Sequence, residues 1–176
     1  MGMSLKQSRA KAQLAAAVVC WLVSSVMPTG LVPSEALEAG ELARESAVLE
    51  AAFRQQIREH LDTTARAART VVCLAVDPGG APQSPSRELM ARLASEPAVR
   101  RAAECDPRPE GAVEATTLRP AIIVTAGPID WVAADDAWVA VSFFRSAQHS
   151  AHRRYRVVRE RDGWVSLGPI LIDGPP

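Results

Sequence analysis

Residues 118–172, LRPAIIVTAGPIDWVAADDAWVAVSFFRSAQHSAHRRYRVVRERDGWVSLGPILI, alternate apolar and polar positions between turn-forming pairs. Alternation with a period of two puts successive side chains on opposite faces of a strand. The pairs Gly127-Pro128, Ala134-Asp135 and Asp162-Gly163 punctuate the run, and Asp-Gly is a strong short hairpin signal. The segment therefore predicts four antiparallel strands: Ala121 to Val132, Asp136 to Arg145, His152 to Glu160 and Trp164 to Ile172. Proline at 128 implies a sheet edge or a bulge, because it has no N–H for the ladder. In the second of these strands Ala137, Val139, Val141 and Phe143 share one face. Trp138, Ala140, Ser142 and Phe144 share the other.

Upstream the period changes. Leu42, Leu49, Phe53, Ile57 and Leu61 recur at steps of seven and four, one face of a helix expected from Glu41 to Ala67. Glu50 and Arg54 form a favourable i,i+4 pair on its polar side. Ser34 is a candidate cap, with Gly40 expected to loosen the first turns. Thr70 to Val76 reads as a strand ending at the turn Asp77-Pro78-Gly79-Gly80. Ser84-Pro85 then reads as the cap and first residue of a short helix that presents Leu89, Met90 and Leu93 and stops at Glu96-Pro97. Residues 100 to 115, with Pro107, Pro109 and Gly111, predict irregular chain.

These elements predict one α+β domain over residues 37–176. A curved antiparallel meander is expected to pack on a long N-terminal helix, with Leu49, Phe53 and Ile57 against Val139, Val141, Phe143 and Val157. The element order is similar to the cone-shaped domains of the nuclear-transport-factor-2-like and cystatin-like superfolds. A more local pattern, Gly127-Pro128-Ile129-Asp130-Trp131 followed by Tyr155-Arg156-Val157-Val158-Arg159-Glu160 and Gly163-Trp164-Val165, resembles one in small exported bacterial proteins of unknown function. It covers about the last third of the chain. That family carries cysteines after its third strand, whereas Arg145 to Ser150 has none. The resemblance implies a fold and brings no mechanism.

Residues 1–36 have the order of an export signal. Lys6, Arg9 and Lys11 precede the apolar run Leu14 to Met27, and Pro28 and Gly30 end it. Small residues mark two cleavage positions, after Ser25 or after Ala36. The alternative is an uncleaved membrane anchor formed by 14–27, short against the roughly 20 apolar residues of a span. Cys20 lies in mid-run behind Val18-Val19 and reads as part of the signal. Export leaves Cys73 and Cys105, which in an oxidising compartment either pair or stay as buried thiols. Pairing would contribute roughly 3–4 kcal/mol by the chain-entropy estimate.

Charge narrows the partner class. The 176-residue chain balances 20 basic against 20 acidic residues, and a cut after Ala36 leaves 17 against 19, a net −2. Its lysines are Lys6 and Lys11 alone, so the arginines downstream reflect a coding bias. Such a chain lacks the broad positive field of a nucleic-acid binder. A protein or small-molecule partner is expected, with the membrane reached only through an uncleaved N-terminus.

Candidate chemistry is sparse, and the sequence calls for no cofactor. There is no Gly-x-Gly-x-x-Gly, P-loop or Gly-x-Ser-x-Gly motif. Asp130 beside Trp131 is the best-placed carboxylate for a general base, and a buried position would raise its pKa toward neutrality. Asp135 and Asp136 sit at a hairpin where aspartate is ordinary. His149 and His152, in the turn between strands, would need a third ligand such as Asp135 or His60 to hold a metal, and no metal is expected. Trp131, Trp138 and Tyr155 would line a ligand pocket if they shared a face. Arg145, Arg153, Arg154, Arg156, Arg159 and Arg161 would form a basic stripe, but alternation splits Arg153 and Arg159 from Arg154 and Arg156. The reading that follows is a non-catalytic binding module. The alternatives are a small cone-fold hydrolase or isomerase with Asp130 as base, and a membrane-tethered structural protein.

Overall fold

The C-terminal strands form as the alternation requires. The computed structural model describes residues 34–61, 69–96 and 98–170. Strands β5 (Ala121–Ala133), β6 (Asp136–Ser146), β7 (His149–Glu160) and β8 (Gly163–Ile170) make an antiparallel meander. They continue a larger sheet. β1 (Val71–Val76) runs parallel to β5, and the short β2 (Val99–Arg101) runs parallel to β1, giving the order β2-β1-β5-β6-β7-β8. The expected antiparallel meander is thus part of a curled mixed sheet of six strands, a half-barrel. The residues explain why. β1 is Val-Val-Cys-Leu-Ala-Val, buried along nearly its whole length. Such a run belongs to a strand covered on both faces, the usual place of parallel strands.

Helix α1 (Ser34–His60) lies on one face of this sheet. It starts seven residues before the expected Glu41, passes through Gly40 without a break, and closes at His60; the expected extension toward Ala67 enters 62–68, outside the described residues. Val48, Leu49, Ala52, Phe53 and Ile57 are buried against Val72, Leu74, Val124, Val139, Val141, Tyr155 and Val157, with Phe143 and Leu61 partly buried at the margin. Leu42, expected on the same buried stripe, is 65% exposed and borders a groove shared with residues 76–92. Helix α2 (Arg87–Arg92) is capped by Ser86, whose hydroxyl accepts from the Leu89 N–H at 3.1 Å. The cap thus lies two residues beyond Ser84. Leu89 and Leu93 join the main core, and Met90 packs at its edge.

Among the described residues, the opposite face of the sheet is covered near β1 and β5. Residues 100–115, expected to be irregular, form the end of β2, a 3-10 turn (Ala102–Glu104), and a two-residue ladder of β3 (Cys105–Asp106) with β4 (Val113–Glu114). Val71, Cys73, Cys105, Ala112 and Ala121 make a second small core beneath this cover, with Ile123 and Phe144 against it. The Cys73–Cys105 disulfide fastens it, with Cα atoms 6.4 Å apart. Glu114 is buried within the cover, accepts from Arg100 Nε at 2.8 Å and from the Thr117 hydroxyl, and is held below the usual carboxylate range chiefly by the Thr117 bond.

Pro128 resolves as a bulge. The β5–β6 register slips between Ala126 and Ile129, and the Gly127-Pro128 peptide is cis. β1 ends opposite Ala126, so the chain beyond has no ladder partner on that side to demand the missing N–H. The described residues form one compact unit. The apolar run 14–27 lies outside the described residues, while Ala36, one of the two cleavage positions, falls in the first turn of α1.

Candidate functional site

Strand alternation separates the residues the sequence singles out. Asp130 pairs in register with Trp138, and Trp138 with Arg156, so these three stand on the open face of the sheet. Trp131 pairs with Ala137 and Tyr155 with Val139, on the face beneath α1. The aromatic trio therefore does not line one pocket: two of its members belong to the core side and only Trp138 faces out.

On the core side the aromatics are anchored by α1. Tyr155 is buried, and its hydroxyl donates to Glu59 Oε2 at 2.9 Å. Gln56 Nε2 donates to the same oxygen at 3.1 Å, and Gln55 Nε2 donates to Oε1 at 2.8 Å. Arg153 reaches Glu59 at 4.0 Å. Burial, reinforced by the Glu59 acceptor, pushes the Tyr155 phenol above its ordinary range, so it stays a protonated donor. Trp131 meets Trp164 edge to face, centroids 5.8 Å apart, and the Arg44 guanidinium lies 3.9 Å over its ring. Glu59 and the buried Gln56 were missed in the sequence. Their signal is faint: two glutamines followed by a glutamate at i+4 and i+3 on a helix flank that alternation of polar and apolar residues does not mark.

The open face is built from paired charges around an indole. Arg154 meets Asp130 at 2.5 Å and lies 5.6 Å from the Trp138 ring. Arg156 forks onto Asp136, Nε to Oδ1 at 3.1 Å and Nη2 to Oδ2 at 2.7 Å. That fork holds the Asp136 carboxyl low and raises the Arg156 guanidinium. Farther along, Val165 and Leu167 of β8 are 39% and 56% exposed, alternating with the inward Trp164 and Ser166. Arg153 leaves this face for the core side, over Phe143 at 5.9 Å, as alternation requires. The basic stripe is thus divided by the pleat and partly neutralised by Asp130 and Asp136. Asp130 is exposed and ion-paired with Arg154, not buried as the general-base expectation required.

The histidines are dispersed. His149 and His152 lie within β7, the turn being Ala147-Gln148, and Ser146 Oγ stands 3.2 Å from His149 Nδ1. Asp135 occupies the turn at the opposite end of β6, and His60 packs edge-on against Phe143. Among the described residues no group of three or more His, Cys, Asp or Glu side chains is placed to hold a metal ion. No helix among them is long and apolar enough to cross a membrane.

Two concavities among the described residues lie away from Asp130. One of about 630 Å³ lies where Glu110, Gly111 and Pro120 face Arg145 and His149. The other, about 700 Å³, runs between the first half of α1 and residues 76–92. Neither was visible in the sequence, since each depends on how a loop returns to a distant element.

Comparison of the chain with protein-family models, curated proteins and solved structures gives no match.

Proposed function

We propose that this chain is an exported, non-catalytic interaction module of the cell envelope or secreted space, holding a partner against the open face of its sheet. The observation that carries the reading is the makeup of that face. An indole, Trp138, sits between two Arg–Asp pairs and continues into exposed Val165 and Leu167. Tryptophan and arginine are the residues most enriched where interfaces concentrate their binding energy. Matched charge around the indole favours orientation of a protein partner over capture of a polyanion. The Cys73–Cys105 disulfide supports an oxidising compartment, and residues 1–36 supply the expected route there.

A photoreactive residue at Leu167, with Leu118 as an equally exposed control outside the face, tests the reading in the native cell. A discrete adduct from position 167 that weakens at least tenfold with Trp138→Ala, and none from 118, is the expected result. Equal, diffuse labelling from both positions would overturn it.

A further inference from the structure

The first half of α1 has an unfinished side. Leu37 and Leu42 are 71% and 65% exposed. Leu42 and Leu49, two turns apart on one helix face, form one wall of the 700 Å³ groove. Val76, Pro78, Pro85 and Leu89, from the end of β1 and the approach to α2, form the other. Leu49, Pro85 and Leu89 are buried and make an apolar floor.

The rim has an unmatched sign. Its one cation, Arg92, is held by Glu50 Oε2 at 2.8 Å and donates to the Ser46 hydroxyl, so its charge is already answered. Glu45 and Glu88 also line the groove and have no ion pair or hydrogen bond among the described residues. An apolar floor beneath two unanswered carboxylates complements a segment that sets a cation among apolar side chains. The dimensions favour an extended peptide. From Ala39 to Leu49 the groove follows about 15 Å of helix, the reach of about five extended residues.

We infer that this groove binds a short peptide segment of a partner protein, its apolar side chains seated between Leu42 and Leu89 and a lysine or arginine against Glu45 and Glu88. The inference rests on the reading of the chain as a binding module but uses a surface separate from the Trp138 face.

Panning a random heptapeptide display library on the full chain, purified with its disulfide formed, tests it. Enrichment of sequences with Lys or Arg beside Leu, Ile, Val or Phe is expected. Leu42→Asp, at an exposed position that leaves the circular dichroism unchanged, should weaken an enriched peptide at least tenfold in fluorescence anisotropy. Glu45→Lys combined with Glu88→Lys should turn the selection toward acidic sequences. Peptides without charge bias, or the same peptides selected by the variants, would overturn the inference. So would a dimer that Leu42→Asp converts to monomer with no peptide enriched, since the occupant would then be a second copy. If the groove fails while the Leu167 adduct stays discrete, the binding role stands and only the groove assignment falls.

Discussion

At the scale of single residues, Gly127 is the position where backbone and neighbour leave no choice. Its φ is +110°, and a Cβ built there would stand 2.2 Å from the carbonyl oxygen of Asp77. Both groups are backbone, so neither can swing away. Gly127→Ala should therefore cost at least about 1–3 kcal/mol, read as a lowered denaturant midpoint; an unchanged midpoint would mean the close approach is not maintained. Tyr155→Phe keeps the ring in the core but takes one donor from Glu59, and a loss of about 1 kcal/mol is expected in the same measurement. The carboxylates give a pH prediction with a definite sign. Glu114 and Asp136 are both held below their ordinary values, by the Thr117 and Arg156 hydrogen bonds respectively. A group depressed in the folded state adds stability above its unfolded value and loses it as pH falls through the folded one. Thermal stability should thus decline below about pH 4.5, and Glu114→Gln should flatten part of that decline. An acid limb identical in the variant and the parent would contradict this. Glu114 had no sequence signal, because its partners come from β2 and from the turn after β4.

Among the elements, the meander was legible and its neighbours only in part. Alternation over 118–172 identified four strands and divided Trp138 from Val139 correctly, because side-chain period follows from backbone geometry alone. It could not say that β1 lies beside β5, since an apolar run marks a buried strand without naming its partner or direction. Helix periodicity likewise found Leu49, Phe53 and Ile57 but overextended the buried stripe to Leu42, because how far along a helix its cover reaches is a tertiary fact. The Glu50–Arg54 pair is expected on the polar side of α1. In the folded chain Arg54 also reaches Glu96 at 2.6 Å and the Arg92 carbonyl at 2.7 Å, so the pair docks α2 against α1. The cover over β1 depends on its cross-link, which closes a loop with a sequence separation of 32. Replacing Cys73 and Cys105 together by alanine should lower stability by roughly 3–4 kcal/mol. Hydrogen exchange should then rise first at Ala112 and Ala121, whose amides bond to Arg145 and Ala112 carbonyls at 2.8 Å. Uniform exchange across the sheet would show that the cover holds without the bridge.

For the whole molecule, the candidate site was less legible than the fold. The sequence brought Asp130, Trp131, Trp138 and Tyr155 together as a set, and the pleat of three strands takes them apart. Tyr155 and Trp131 serve the core, tied down by Glu59 and Arg44, while Asp130 and Trp138 stand outside with Arg154 and Arg156. What remains exposed is a surface of paired charges and apolar side chains. The central claim is that this surface meets a partner after export. Native mass spectrometry of the protein recovered from its own cells tests it most directly. The account predicts a chain shortened at its N-terminus, with Cys73 and Cys105 oxidised, carrying a bound protein that Trp138→Ala releases. A full-length, reduced chain that travels alone would contradict it.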